Sequence, residues 1–313
     1  LKNRVMSLTE IKKILKRHGI DVSGVCSSDM DENLKKYLYK REKEKGLSGM
    51  EESDISKRTD VYSVMEDANS IITAAFPYYT GYNTDSNISI YCSGKDYHTV
   101  IEGILNKVCS DIRDSLNDNE KENFRFEICV DTSPLVDRYI AYMSGIGFFG
   151  LNNNIITEKY GSYVFIGYII TNLNIEKSEP MDRECIKCGK CIEMCPGKAL
   201  KEDYKMDAKR CLSYITQKKG EFSEQEKELI IKEKTVFGCD VCQKVCPHNE
   251  NIEYTDIKEF MEDKIYNLEK NDIDNLSNRE FKRKYGDRAF SWRGKGIIKR
   301  NLDLIEENNE KGV

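Results

Sequence analysis

Eight of the twelve cysteines in this 313-residue chain fall between Cys185 and Cys246. Cys185, Cys188, Cys191 and Cys195-Pro196 follow the spacing C-x2-C-x2-C-x3-C-P. Cys239, Cys242 and Cys246-Pro247 repeat its second part, C-x2-C-x3-C-P, with Cys211 upstream. Thiolates at this spacing ligate iron–sulfur cubanes. The first three close on one cluster, and the longer step before proline carries the fourth cysteine to a different one. By this crossover, Cys185, Cys188, Cys191 and Cys246 hold one [4Fe–4S] cluster, and Cys195, Cys211, Cys239 and Cys242 hold the other. Paired C-x2-C units also build zinc sites, but the triple C-x2-C-x2-C run and the prolines favour cubanes. A local cysteine cluster in a reducing compartment reads as metal ligation rather than a disulfide framework. Two clusters fused to a larger domain usually feed a second redox centre, so the residues before 179 should hold one.

Other residues there could do chemistry. Asp131 follows the alternation Phe124, Phe126, Ile128, Val130, and a carboxylate at a strand end is a common working acid. Asp, Thr and Ser also cap helices, and residue type alone favours the cap. Tyr97 and His98 open a long helical pattern and, taken singly, read as structural. Cys92 reads as a buried structural thiol. Gly145, Gly147 and Gly150 match G-x-G-x-x-G. A helical pattern precedes them and the turn-like Leu151-Asn-Asn-Asn154 follows, which is the wrong context for a dinucleotide site. These glycines read instead as letting backbone approach something flat or bulky.

The elements that must position these groups are partly legible. Ser7 and Glu10 form a capping box before Leu8, Ile11, Ile14 and Leu15, with Gly19 as a stop. A charged helix is expected over 31–45 and a long one over 96–116, with a stripe through Val100, Ile101, Ile104, Leu105, Val108, Ile112 and Leu116. Strands are expected over 70–76, 88–92, 124–130 and 164–170, and a further helix over 135–144. The N-terminal part to about residue 178 is therefore mixed α and β. Residues 179–254 have few long apolar runs, as expected of a segment held by metal more than by core.

Hydrophobic content of 39% and charged content of 33% suit a soluble globular chain, and the length suits two domains with an appendage. No apolar run reaches the ~20 residues of a membrane span, and no signal-peptide pattern opens the chain, so a cytoplasmic protein is expected. Net charge is −5, yet residues 279–300 carry nine Lys/Arg against two Asp/Glu. Such a block is a candidate nucleic-acid contact or a solvated helix face.

Four stretches together resemble the epoxyqueuosine reductases: Ser93-Gly-Lys-Asp-Tyr-His-Thr99; Val130-Asp-Thr-Ser-Pro-Leu135 through the glycines to Gly161-Ser-Tyr-Val-Phe-Ile-Gly167; the Cys185–Pro196 run with Arg210-Cys-Leu-Ser-Tyr-Ile-Thr216; and the segment from Phe237 to Asn249. The resemblance spans roughly residues 5–300. It implies an α+β fold with three parts. These are an N-terminal mixed α/β corrinoid-binding domain (1–178), a bacterial-ferredoxin-like double-cluster domain (179–254) and a short helical basic C-terminal region (255–313). It implies cobalamin beside two [4Fe–4S] clusters, with the clusters reducing cobalt. The implied substrate is epoxyqueuosine at the wobble position of a tRNA anticodon, reduced to queuosine with loss of water. Asp131 stands where the family has its proton donor. Arg58, Asp131, Ile155, Ile166, Ser213, Cys239 and Asp240 would meet the corrinoid, some through backbone. The large flat cofactor would also account for the Gly145–Gly150 loop. The resemblance brings an external electron donor and a monomer.

The chain departs from the family's usual pattern at Leu151, where a lysine is common, and at His248, where a tryptophan is common. It also stops soon after Trp292-Arg293-Gly294-Lys295, where relatives continue into helical repeats, so a short form is expected. Two alternatives stay open on the residues alone: a corrinoid-dependent reductase of a small molecule, or a non-catalytic electron-transfer module.

Overall fold

The computed structural model describes residues 5–81 and 86–310. Among the described residues six strands occur in chain order: β1 (Val22–Ser27), β2 (Ser70–Pro77), β3 (Phe126–Cys129), β4 (Phe148–Phe149), β5 (Ile155–Ile156) and β6 (Val164–Thr171). Four form an antiparallel sheet in the order β1-β2-β6-β3, while β4 and β5 pair in a small hairpin of their own. Every residue of β2 is buried, as an unbroken apolar run demands of a strand covered on both faces.

The helices of the N-terminal part are α1 (Leu8–Arg17), α2 (Glu32–Lys43), α3 (Ile55–Thr59), α4 (Tyr97–Ser115), α5 (Asp118–Asn123) and α6 (Asp137–Met143). The Ser7–Glu10 capping box starts α1, and Asp31 and Asp96 cap α2 and α4. α1 and α4 lie on one face of the sheet and α6 packs against β1, β2 and β6. The α4 stripe buries Ile101, Leu105, Val108 and Ile112 completely, each contributing roughly 1.5–3 kcal/mol. Gly167 of β6 permits this approach, because a Cβ there would lie 2.7 Å from the Ile101 side chain. The close contact fixes the N-terminal end of α4, and with it Tyr97 and His98, beside the end of β3.

The expected strand over 88–92 is not one. Ile88 makes a single parallel bridge to Phe237, and Ile90–Cys92 is a 3₁₀ turn. The buried Asp240 carboxylate accepts from the Ile90 amide at 2.8 Å and from the Ser89 hydroxyl, so a side chain replaces the neighbouring strand. The expected strand over 124–130 shortens to β3 and the helix over 135–144 to α6.

The cysteine-rich segment carries only short helices: α7 (Lys190–Met194), α8 (Leu212–Gln217), α9 (Glu224–Glu233) and α10 (Val241–Lys244). Beyond it lie α11 (Lys258–Met261), α12 (Lys270–Asp274), α13 (Asn278–Tyr285) and α14 (Lys295–Glu310). Phe260, Phe281, Tyr285, Phe290 and Ile298 belong to the same buried core as Ile72 and Ile101. Asn301 ties α14 inward, its amide donating to the Thr216 and Val236 carbonyls at 2.8 Å each. Much of the basic block is therefore scaffold rather than surface. Arg288 is buried, Lys299 pairs with Asp274 and Asp303, and Arg300 donates to the carbonyls of Lys218 and Gly220. Arg279, Lys282 and Arg283 stay exposed along α13. Among the described residues no helix is long and apolar enough to cross a membrane.

Candidate functional site: two cysteine quartets and a cavity ending at Asp131

The eight clustered cysteines separate into two groups in space. Cys185, Cys188, Cys191 and Cys246 line one small cavity, with Gly150, Leu151, Asn152 and His248. Cys195, Cys211, Cys239 and Cys242 line the floor of a second, deeper cavity of about 430 Å³. These are the two sets the crossover spacing assigns. Among the described residues no three His, Cys, Asp or Glu side chains close on a single metal ion. Each quartet lines a common cavity, as thiolates around a cubane do. α7 packs on α10, bringing the two Cys-Pro ends together. Burial pushes the thiols of Cys191 and Cys239 up, and neighbouring cysteines of the same quartet push further. Such thiols give up their protons readily only to a metal.

His248 and Leu151 serve the first quartet. The His248 ring accepts from the Ile186 amide at 3.3 Å and meets the Phe148 ring edge-on at 5.2 Å. Leu151 is buried beside Cys185 and Cys191. The first quartet also reaches the surface, since Cys188 is exposed while Cys185 and Cys191 are buried.

The walls of the deep cavity are largely flat and apolar, with Tyr78, Tyr91, Tyr97, Ile155, Phe165 and Ile166 among them. Tyr91, Tyr97, Asp131, Asp137 and Arg138 also line an outer cavity of about 1510 Å³, which holds Arg58, His98, Gln217 and Trp292. That volume exceeds the roughly 300–1,000 Å³ of most small-molecule pockets. Two buried donors face these spaces without a protein partner: Nη1 of Arg58 and Nδ2 of Asn152. Orphaned donors on a flat-walled cavity fit a large planar cofactor with peripheral amide or phosphate acceptors.

Asp131 stands where the two cavities meet. Its backbone is left-handed (φ 54°) and its side chain is 65% exposed. It caps no helix, because α6 begins after Val136 without a side-chain cap. Its Oδ2 accepts from the Tyr97 hydroxyl at 2.6 Å and lies 4.0 Å from Nε2 of His98. Tyr97 is clamped by stacking on Phe165 at 4.1 Å and on His98 at 4.0 Å. Burial, then the Asp131 charge and hydrogen bond, hold the Tyr97 hydroxyl far above its ordinary pKa, so it stays a donor. On His98, burial favours the neutral ring, but the hydrogen bond to Asp96 (2.6 Å) and the charges of Asp96 and Asp131 outweigh it. Its pKa is raised. Tyr97 and His98 thus belong to the site, against the structural role their residue types suggested. The grouping links positions far apart in the chain, which local pattern does not reveal.

Of the other expected cofactor contacts, Arg58, Ile155, Ile166, Ser213 and Cys239 line one or other cavity. Asp240 lines neither, its carboxylate being committed to Ser89 and Ile90. The glycine loop also has another partner than the one expected. A Cβ on Gly145 would strike the Glu179 carbonyl at 2.1 Å, and one on Gly147 the Ile156 carbonyl at 2.6 Å. These glycines let the chain pack against itself. Cys92 is fully buried, donating to the Ser89 carbonyl at 3.1 Å, as a structural thiol does.

Asp137 carried no signal in the sequence. It accepts from the Tyr168 hydroxyl at 2.9 Å, and Tyr168 meets Ser133. Burial, reinforced by the Asp131 charge, pushes its carboxyl up to about 7.

Two cysteine quartets, one reaching the surface at Cys188 and one lining a cavity together with Asp131, define a double-cluster iron–sulfur protein with a cavity beside its second quartet. Residues 58–132 match the model of the family described as "Epoxyqueuosine reductase QueG, DUF1730", and residues 184–249 match the 4Fe–4S double cluster binding domain. Epoxyqueuosine reductase of Lactococcus garvieae is 35% identical over 303 residues, 94% of this chain and 84% of that protein. The Bacillus subtilis enzyme is 35% identical over 305 residues, 94% of this chain and 77% of its own. The solved structure of the Streptococcus thermophilus enzyme superposes with a TM-score of 0.83 at 33% identity, covering 96% of this chain and 81% of that one. An epoxyqueuosine reductase with an epoxyqueuosine-modified tRNA-Tyr stem loop superposes at 0.84 and 33% identity, covering 95% and 80%. The chain belongs to the epoxyqueuosine reductase family and, like its relatives, is an oxidoreductase with two [4Fe–4S] clusters.

Proposed function

We propose that the chain reduces epoxyqueuosine to queuosine in the anticodon loop of tRNA, with cobalamin in the deep cavity. The observation that carries this is a cavity lined at once by the second cysteine quartet and by Asp131, with the first quartet brought close by the packing of α7 on α10. A solved relative holds an epoxyqueuosine-modified tRNA stem loop, and another has its catalytic aspartate loop swung out of the active site. Arg58 Nη1, Asn152 Nδ2, Ser213 and the Ile155 and Ile166 backbone would hold the corrinoid. Bound there, cobalamin supplies the strongly reducing nucleophile that an epoxide carbon needs.

The protein's own residues handle the protons. Reduction of the epoxide to an alkene consumes two electrons and two protons and releases one water. Asp131, as the acid, protonates the epoxide oxygen as its C–O bond breaks. Tyr97 holds the carboxyl in place through Oδ2. His98, its pKa raised beside Asp96 and Asp131, returns a proton to Asp131 for the second transfer. An external one-electron donor docks over the first quartet and delivers one electron per encounter. Residues 1–178, 179–254 and 255–313 then act as corrinoid domain, wire and basic flank. Because tRNA is met in the cytoplasm, the enzyme works there, as a monomer.

The test is a cobalamin titration of anaerobically reconstituted protein, followed by absorbance and Co(II) EPR. One-to-one binding with a perturbed cobalt signal is expected. No binding with both clusters intact would leave an electron-transfer module.

A further inference from the structure

Trp292 is the only tryptophan in the chain, and its side chain stands at the rim of the outer cavity with 53% of its surface exposed. Its indole N–H donates to Oε1 of Gln217 at 3.0 Å. The Gln217 amide is itself fixed, donating to the Ser213 carbonyl at 2.8 Å and to the Tyr91 hydroxyl at 3.4 Å. The Arg293 guanidinium lies 3.7 Å from the ring centroid, and its Nε is buried without a protein partner. The ring is thus held edge-on by a hydrogen bond and covered by a cation. It remains open at the rim that also carries His98 and Asp131.

We infer that Trp292, backed by Arg293, is a stacking platform for a nucleobase of the anticodon loop next to the base that enters the cavity. This rests on the tRNA reading above. A base drawn into a deep pocket leaves its neighbour without a stacking partner. An aromatic ring at the pocket mouth replaces that partner, and an arginine behind the ring strengthens the stack. A large exposed aromatic held rigid by two neighbours loses little further freedom on binding. The Gln217 tether also links the platform to Ser213 on the cavity wall, so the stacked base and the pocket share one scaffold.

Trp292 emission reports this directly. Full chain carrying its clusters is titrated with an anticodon stem-loop RNA, reading tryptophan fluorescence and, separately, the anisotropy of end-labelled RNA. Quenching that follows the anisotropy curve is expected. Trp292→Ala should weaken the stem-loop by about 5- to 150-fold, the range for losing one stacked base. Trp292→Phe, which keeps the aromatic face and loses the tether, should stay within about threefold of wild type. RNA binding by anisotropy with unchanged emission and an unaffected Trp292→Ala variant overturns the platform and leaves the tRNA reading standing. Absence of stem-loop binding to wild type overturns both.

Discussion

Asp131 sits at a positive φ with its carboxylate on Tyr97, and the choice of residue matters twice. Asp and Asn tolerate left-handed backbone better than other side chains, and both can accept from Tyr97. Asp131→Asn is therefore expected to fold with cofactor content unchanged. Its turnover should fall at least about 100-fold, the usual weight of a positioned acid. Near-normal turnover would remove Asp131 from the chemistry. Asp137 makes a pH prediction. Its carboxyl is raised from an ordinary 3.8 to about 7, so between those values the folded chain keeps a proton that the unfolded chain has released. Stability at this site is then greatest at low pH and is lost as pH rises toward 7. The loss reaches roughly 4 kcal/mol at most, at about 1.4 kcal/mol per unit. Asp137→Asn cannot titrate, so its melting temperature should gain on wild type from pH 5 to about 7 and level off above that. A difference flat in pH would contradict this assignment. Asp131 was legible beforehand, while Asp137 and the partners of Asp131 were not. The strand-end position made Asp131 a candidate, but its partners Tyr97 and His98 arrive from another helix.

At the scale of elements, local rules served where one stretch of chain decides its own structure. The α1 capping box, the α4 stripe and the apolar runs of β2 and β6 formed as read. They failed where a distant side chain intervenes, as Asp240 does in turning the expected 88–92 strand into a 3₁₀ turn. The junction between sheet and cluster segment shows another such dependence. Gly161 has φ 54°, and a Cβ there would lie 2.0 Å from Oδ1 of Asn249, which accepts from the Ser162 amide at 2.8 Å. Gly161→Ala should strain the backbone and push Asn249 off this strap. A loss of about 1–3 kcal/mol is expected, read in denaturant unfolding followed at the cluster absorbance band. An unmoved midpoint would mean that the strap does not hold the two parts together.

Across the whole molecule, the partition of cysteines was the most legible feature, because ligand spacing is local even though the quartets cross over. Cys185→Ser should lower iron from about eight to about four per chain and spare the quartet on the cavity floor. Cys211→Ser should remove the other cluster instead. Loss of both clusters in either variant would mean that they form only as a unit. The basic block was the least legible, since formal charge does not reveal which arginines are spent on carbonyls inside the fold. Four exposed cations on α13, of which Lys284 is paired with Asp272, still predict stem-loop binding that weakens with salt. Because few of the lysines and arginines in this block remain free, the slope should be shallow, and a steep one would point to basic surface elsewhere. The account as a whole comes down to one conversion. Anaerobic chain with both clusters, a low-potential electron donor and an epoxyqueuosine-bearing stem loop should yield queuosine, seen by mass spectrometry as loss of one oxygen, only when cobalamin is added. Unchanged RNA in the presence of bound cobalamin and intact clusters would contradict it.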